Sequence, residues 1–216
     1  MSAERLVAYI DGFNLYYGLR DARLRSSRWL DLHGVCTSLL KPSQQLEFVR
    51  YFTTRVRGDP HAARRQSVYI DALLAREGIE IDFGHFLSSS THCRNCGAVR
   101  QKHEEKRTDV NIAVRLLEDA YDDRFDTAMV VSGDSDLVPP IRSVRSRFPH
   151  KRVLVAAPPE RWSAQLGQAA NAALQISALT IRSNRLPDPV VTPSGVRLRA
   201  PRGWLPRESR RGGAAR

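Results

Sequence analysis

Four aspartates, Asp11, Asp109, Asp134 and Asp136, sit in three short strings: YIDGFN (9–14), KRTDVNIA (106–113) and VVSGDSD (130–136). Carboxylates that share a pocket repel one another and resist ionising. A hard divalent cation removes that penalty and takes carboxylate oxygens as ligands. The chemistry open to such a set is the activation of water and the neutralisation of charge on a phosphoryl group. All of this requires the elements carrying the strings to end at one edge of one sheet.

The pattern of the chain provides such elements. Strands are expected at 5–11, 46–56, 79–87, 126–132 and 151–157, with a weak one near 176–182. Helices are expected at 14–24, 31–41, from Pro60 to about 76, and at 108–121, 135–147 and 161–172. Asp59-Pro60 is a helix opening, with Asp as N-cap and Pro in the first turn, and Gly78 suits the residue after that helix. Strands alternating with helices imply an α/β fold, an open and mostly parallel sheet with helices on both faces. Ligands of such sheets bind beyond the carboxyl ends of the strands. Asp11 ends the first strand, Asp134 and Asp136 follow the strand 126–132, and Asp109 opens a helix whose stripe Ile112, Ala113, Leu116 faces the sheet.

Taken singly, each acid has an ordinary structural role. Asp134 and Ser135 can cap the next helix, Asp109 can complement a helix dipole, and Asp11 can serve a turn. Three independent caps have no reason to meet at one sheet edge, which favours a divalent-metal site. Asn14 is placed to hold a metal-bound water or a phosphate, or to cap the first helix. Ser132 and Gly133 form the approach to Asp134, where glycine admits close backbone contact. Lys106 is placed to meet a phosphate or to stand as a solvated charge.

The 216 residues carry a formal charge of +11, and the pI is about 10.3. Only four of the 34 basic residues are Lys, leaving 30 Arg, whose planar fork matches phosphate oxygens. This balance points to a polyanionic partner such as nucleic acid, although a bias toward Arg codons would produce it too. The N-terminal run MSAERLVAYID has charges where a signal peptide needs an apolar stretch, and no run suits a membrane span. A soluble, cytoplasmic protein is expected, with no membrane partner. The sequence sets no oligomeric state and is compatible with a homodimer.

Residues 1–182 are expected to form one domain, and 183–216 an Arg/Pro/Gly-rich, disordered tail with eight Arg against Asp188 and Glu208. Residues 88–104 read as a polar loop. In it, Cys93 and Cys96 are either reduced thiols or half of a structural Zn²⁺ site completed by His103, His85 or His92. A haloacid-dehalogenase pattern would need Asp where Phe13 stands, and a Toprim pattern would need Glu where Asp11 stands. Neither G-x-x-x-x-G-K-[ST] nor G-x-G-x-x-G occurs.

The strings IDGFNLY, EEKRTDVNIAVRLLEDAY and VVSGDSDLVPPIRSV, in that order, resemble the NYN domain family of the PIN-like nuclease superfamily, most closely its bacterial LabA-like group. The resemblance covers about 5–182. It implies a PIN-like, Rossmannoid three-layer fold and a metal-dependent ribonuclease using Mg²⁺ or Mn²⁺. It also implies a catalytic set of Asp11, Asn14, Asp109, Asp134 and Asp136, with the four aspartates as metal ligands. A non-catalytic RNA-binding adaptor is the alternative.

Overall fold

Strand β1 (Glu4–Asp11) is buried on both faces from Leu6 onward, the mark of a central strand in a covered parallel sheet. The computed structural model describes the backbone of residues 3–92, 99–106 and 108–205, and the side chains within 3–84 and 108–205. From β1 the chain passes through α1 (Gly12–Asp21) and α2 (Leu32–Thr37) to β2 (Gln44–Thr53). Helix α3 (Pro60–Leu74) then leads to β3 (Ile79–Phe83) at the sheet edge.

Strands β4 (His85–His92) and β5 (Val99–Lys106) pair only with each other, antiparallel, from His85↔Lys106 to His92↔Val99. Within the expected loop over 88–104, residues 88–92 and 99–104 are therefore strand. Cys93 and Cys96 lie outside the described residues, as do the side chains of His85, His92, His103 and Lys106.

Helix α4 (Thr108–Tyr121) carries the chain back to the sheet centre. There follow β6 (Thr127–Val131), a 3-10 turn (Ser135–Leu137), α5 (Val138–Arg147), β7 (Arg152–Ala157), α6 (Ala164–Ala169), β8 (Ala172–Gln175) and α7 (Ala178–Ser183). The order across the sheet is β3-β2-β1-β6-β7-β8, with every neighbouring pair parallel. The last sheet strand is thus 172–175 rather than 176–182, which is mostly helix α7. Gly78 adopts φ +76° in the turn before β3, while α3 is capped earlier, by Ala75.

Alternate residues of β1 feed two cores. Leu6, Ala8 and Ile10 pack with Leu15, Leu19, Leu73 and Trp29 on the α1–α3 face. Val7 and Tyr9 pack with Ile112, Leu116, Ile141 and Leu166 on the α4–α6 face. Helix α4 is held in register by buried charge. Arg50 on β2 makes a two-pronged contact with Asp119 (Nε–Oδ2 2.9 Å, Nη2–Oδ1 3.1 Å), and the Tyr9 hydroxyl donates to the same carboxylate at 2.7 Å.

Residues 184–205 also depart from expectation. The Leu186 amide donates to Trp29 O, the Trp29 indole donates to Pro187 O at 2.8 Å, and Leu30 bridges Arg185. Strands β9 (Val190–Val191) and β10 (Arg197–Leu198) pair with each other, and Trp204 packs edge-on against Tyr69 at 5.7 Å. Leu186, Val190, Ala200 and Trp204 all join the α1–α3 core. A few apolar residues spaced among Arg and Pro carry no periodicity, so only the docked surface reveals them. Residues 206–216 lie outside the described residues. Trp204→Ala should therefore cost about 3 kcal/mol in urea unfolding, and truncation after 183 should cost more.

Candidate functional site

The sheet order reverses between β1 and β6: the chain leaves β1 toward β2 on one side and leaves β6 toward β7 on the other. The carboxyl ends of strands flanking such a reversal splay their following loops apart and leave a crevice. Register pairing reaches Ile10↔Val131, so Asp11 and Ser132 emerge side by side.

A closed set of hydrogen bonds fixes the two loops. Asp11 caps α1, its Oδ1 accepting the Asn14 amide at 3.0 Å. Ser132 Oγ donates to Asp11 Oδ2 at 2.9 Å and accepts the Asp134 amide at 3.0 Å. Asn14 Oδ1 accepts the Gly133 amide at 2.9 Å. Asp134 Oδ1 accepts the Asp136 amide at 3.0 Å and so caps the 3-10 turn. The N-cap of α1 is therefore Asp11, not Asn14, whose side chain instead clamps the β6 loop to the helix. Gly133 has no room for a side chain: a Cβ there would lie 1.8 Å from the Arg161 carbonyl oxygen.

Asp11, Asn14, Asp109 and Asp134 line one cavity of about 210 Å³ together with Phe13, Tyr17, Thr108 and Arg161. Asp109, Asp134 and Asp136 each present a carboxylate oxygen within 4.8 Å of the other two. Asp11 stands apart from that triad and is 4% exposed, with both oxygens already accepting hydrogen bonds. A carboxylate has about four lone-pair sites, so its engagement with Asn14 and Ser132 leaves acceptor capacity.

Charge in the cavity is under-compensated. Burial, then the neighbouring charges of Asp11, Asp134 and Asp136, push the Asp109 carboxyl up to about 6. Burial also raises Asp11, against the hydrogen bonds that lower it. The oxygen-only donor set and the mutual repulsion fit a divalent cation, and the acidic triad can hold one.

Arg161 was not singled out from the sequence. Its guanidinium pairs with Asp21, lies 5.9 Å from the Tyr17 ring centroid and reaches the cavity wall. Its Nε is buried without a hydrogen-bond partner among the described residues. The rule that located the aspartates, residues just beyond the carboxyl ends of strands, also covers Arg161 after β7. Among the described residues no helix is long and apolar enough to cross a membrane.

The sequence model of the NYN domain matches residues 5–177. The 6-hydroxy-3-succinoylpyridine 3-monooxygenase HspA of Pseudomonas putida (strain DSM 28022 / S16) is 28% identical over 174 residues, covering 64% of this chain and 54% of that protein. The chain thus spans about half the length of this curated relative. A crystal structure of a protein of unknown function, VPA0982 from Vibrio parahaemolyticus RIMD 2210633, superposes with a TM-score of 0.56 at 20% identity, covering 82% of this chain and 95% of that one. That likeness concerns the fold.

The charge balance has a measurable consequence. A carboxyl whose pKa is raised by folding favours the native state while protonated, and that contribution is lost as pH rises from about 3.8 to about 6. NMR titration of the metal-free protein should show Asp109 titrating near 6, and saturating Mg²⁺ should move it below the usual carboxylate range. A metal-free Asp109 titrating near 4 would contradict the crowding.

Proposed function

Because this chain belongs to the NYN domain family, matched over residues 5–177, we propose that it is a metal-dependent ribonuclease of the bacterial LabA-like group, hydrolysing RNA phosphodiester bonds at the Asp-lined cavity. The observation that carries this reading is the triad of Asp109, Asp134 and Asp136 with carboxylate oxygens within 4.8 Å, beside buried Asp11 at the sheet's reversal point. NYN domains are a nuclease-type family acting generally on RNA, and a net charge of +11 suits a polyanionic substrate.

Asp109, Asp134 and Asp136, with Asp11, would hold Mg²⁺ or Mn²⁺. When bound, the cation neutralises charge on the phosphoryl oxygens and makes water a better nucleophile. Asn14 and Ser132 act as positioning residues: they hold the Gly133–Asp134 backbone and the Asp11 carboxylate in fixed relation, so Asp134 meets its partners without reorganisation. Arg161 supplies the cationic wall that orients a phosphodiester. In the hydrolysis water attacks phosphorus, the P–O bond to the leaving nucleoside breaks, and that oxygen takes a proton.

An RNA-binding adaptor without turnover is the second reading, and the basic charge supports it equally. The reaction in the name of the Pseudomonas putida relative concerns a substituted pyridine, a different substrate class.

The test uses labelled single-stranded and structured RNA, and a 2′-deoxy version of each, with Mg²⁺, Mn²⁺ or EDTA. Cleavage should require the metal and be lost in EDTA. Asp134→Asn, nearly isosteric, should lower kcat about 100-fold or more, equivalent to roughly 2.7 kcal/mol, while RNA binding persists. An unchanged rate in EDTA would sink the metal mechanism. RNA binding with no cleavage under any condition would identify the adaptor.

A further inference from the structure

A second cavity, of about 390 Å³, lies beside the acidic one, and Phe13 and Tyr17 line both. This volume falls in the range of small-molecule sites. Its deeper wall is Tyr51, Tyr69 and Trp204, packed edge to face (Tyr51–Tyr69 6.4 Å, Tyr69–Trp204 5.7 Å). Phe13, Tyr16 and Tyr17, in the first two turns of α1, add rings that no core absorbs. Phe13 is half-buried, and Tyr16 and Tyr17 are 41% and 38% exposed. Three apolar rings in one solvent-facing stretch beside a cavity need an explanation beyond packing.

The polar lining is cationic. Arg28, Arg57 and Arg65 line the cavity against Asp59, whose carboxylate caps α3 through the Ala62 amide at 3.0 Å. The Arg28 guanidinium lies 4.3 Å over the Tyr16 ring, and its Nε is buried without a hydrogen-bond partner among the described residues. Burial, and the like charges of Arg25, Arg20 and Arg65, push Arg28 below its ordinary value against the favourable influence of Tyr16. A buried donor left unmade is costly, and an acceptor from a ligand removes the cost.

We propose that this cavity is a base-binding subsite for single-stranded RNA: one unstacked nucleobase enters among the α1 aromatics, Arg28 donates to its acceptor edge or its phosphate, and the adjoining phosphodiester lies at the carboxylates. The proposal rests on the ribonuclease reading of the neighbouring cavity. The shared wall of Phe13 and Tyr17 is what joins base to phosphate. Aromatic faces and Arg are the groups that hold splayed bases of single strands. A base paired within a duplex would first have to be unpaired and unstacked, so single strands and loops are the favoured substrates.

The experiment places one 2-aminopurine riboside at successive positions of a short single-stranded RNA and measures fluorescence and affinity in EDTA, where no bond is cut. One position should be quenched well beyond the rest. An abasic ribose at that position should weaken binding about 10-fold, within the range of a base–aromatic stack. Ala62→Trp, which fills the cavity from the start of α3, should abolish the position dependence while the melting temperature holds. If that variant misfolds, Arg28→Ala should do the same. Uniform quenching along the strand, or an abasic series without effect, overturns the subsite. So does a free nucleoside monophosphate that binds as tightly as the RNA, since the cavity would then be a small-molecule site. Cleavage is assayed separately with Mg²⁺. Position dependence without cleavage refutes the ribonuclease and leaves the subsite standing, whereas cleavage without position dependence refutes the subsite alone.

Discussion

Like-charge repulsion at one point of the sheet is the constraint on which the rest of the structure depends. Carboxylates gathered around a small cavity push their loops apart unless neutral groups tie those loops together. Neutral donors make these ties: the Ser132 hydroxyl to Asp11, the Asp134 amide to Ser132, and the Gly133 amide to Asn14. Asp134 Oδ1 also accepts the Asp136 amide, and Asp109, Asp134 and Asp136 each bring a carboxylate oxygen within 4.8 Å of the other two. Gly133 belongs to the same solution, because the loop after β7 presses its Arg161 carbonyl where a side chain would be.

Asp109 reaches that point by a longer route. The chain leaves the sheet edge at β3, makes the β4–β5 ribbon and returns over the opposite face as α4. A helix arriving this way could slide along the sheet, and the Arg50–Asp119–Tyr9 cluster prevents it by matching a fork to a carboxylate in a buried setting. Removing Arg50 would take the guanidinium from the buried Asp119 carboxylate, whereas Arg50 without Asp119 would keep its pair with Glu80 at 2.6 Å, so the cluster sets register more than it adds stability. With α4 in place, its N-terminal dipole favours a charged Asp109 while burial and the other acids oppose it. Burial first, and then the charges of Asp11, Asp134 and Asp136, push its carboxyl up to about 6.

Electrostatically the molecule pairs opposites at short range. A chain of net charge +11 encloses a small acidic cavity, with Arg161 on its wall and Arg28, Arg57 and Arg65 in the next one. A polyanion is drawn by the surroundings, and a cation by the acidic set itself. Tyr17 links the two cavities, its ring 4.6 Å from the Arg20 guanidinium and 5.9 Å from that of Arg161.

Periodicity and local chemistry were legible in the sequence wherever one residue's environment is set by its neighbours along the chain. The buried run to Asp11, the Asp59-Pro60 helix start and the span of α4 follow from alternation, capping and the 3.6-residue repeat, and they locate the aspartates at strand and helix ends. Tertiary structure decided what depends on partners more than a hundred residues away. It made Asp11 a hydrogen-bond hub shared with Ser132, gave Asn14 the role of clamp rather than cap, and brought Arg161 to the acidic wall. It also docked Trp204 onto Tyr69 from a segment whose composition reads as disorder. The physical reason is common to these cases. A hydrogen bond or a buried ring gains its energy from a surface assembled elsewhere in the chain, and no local pattern records that surface.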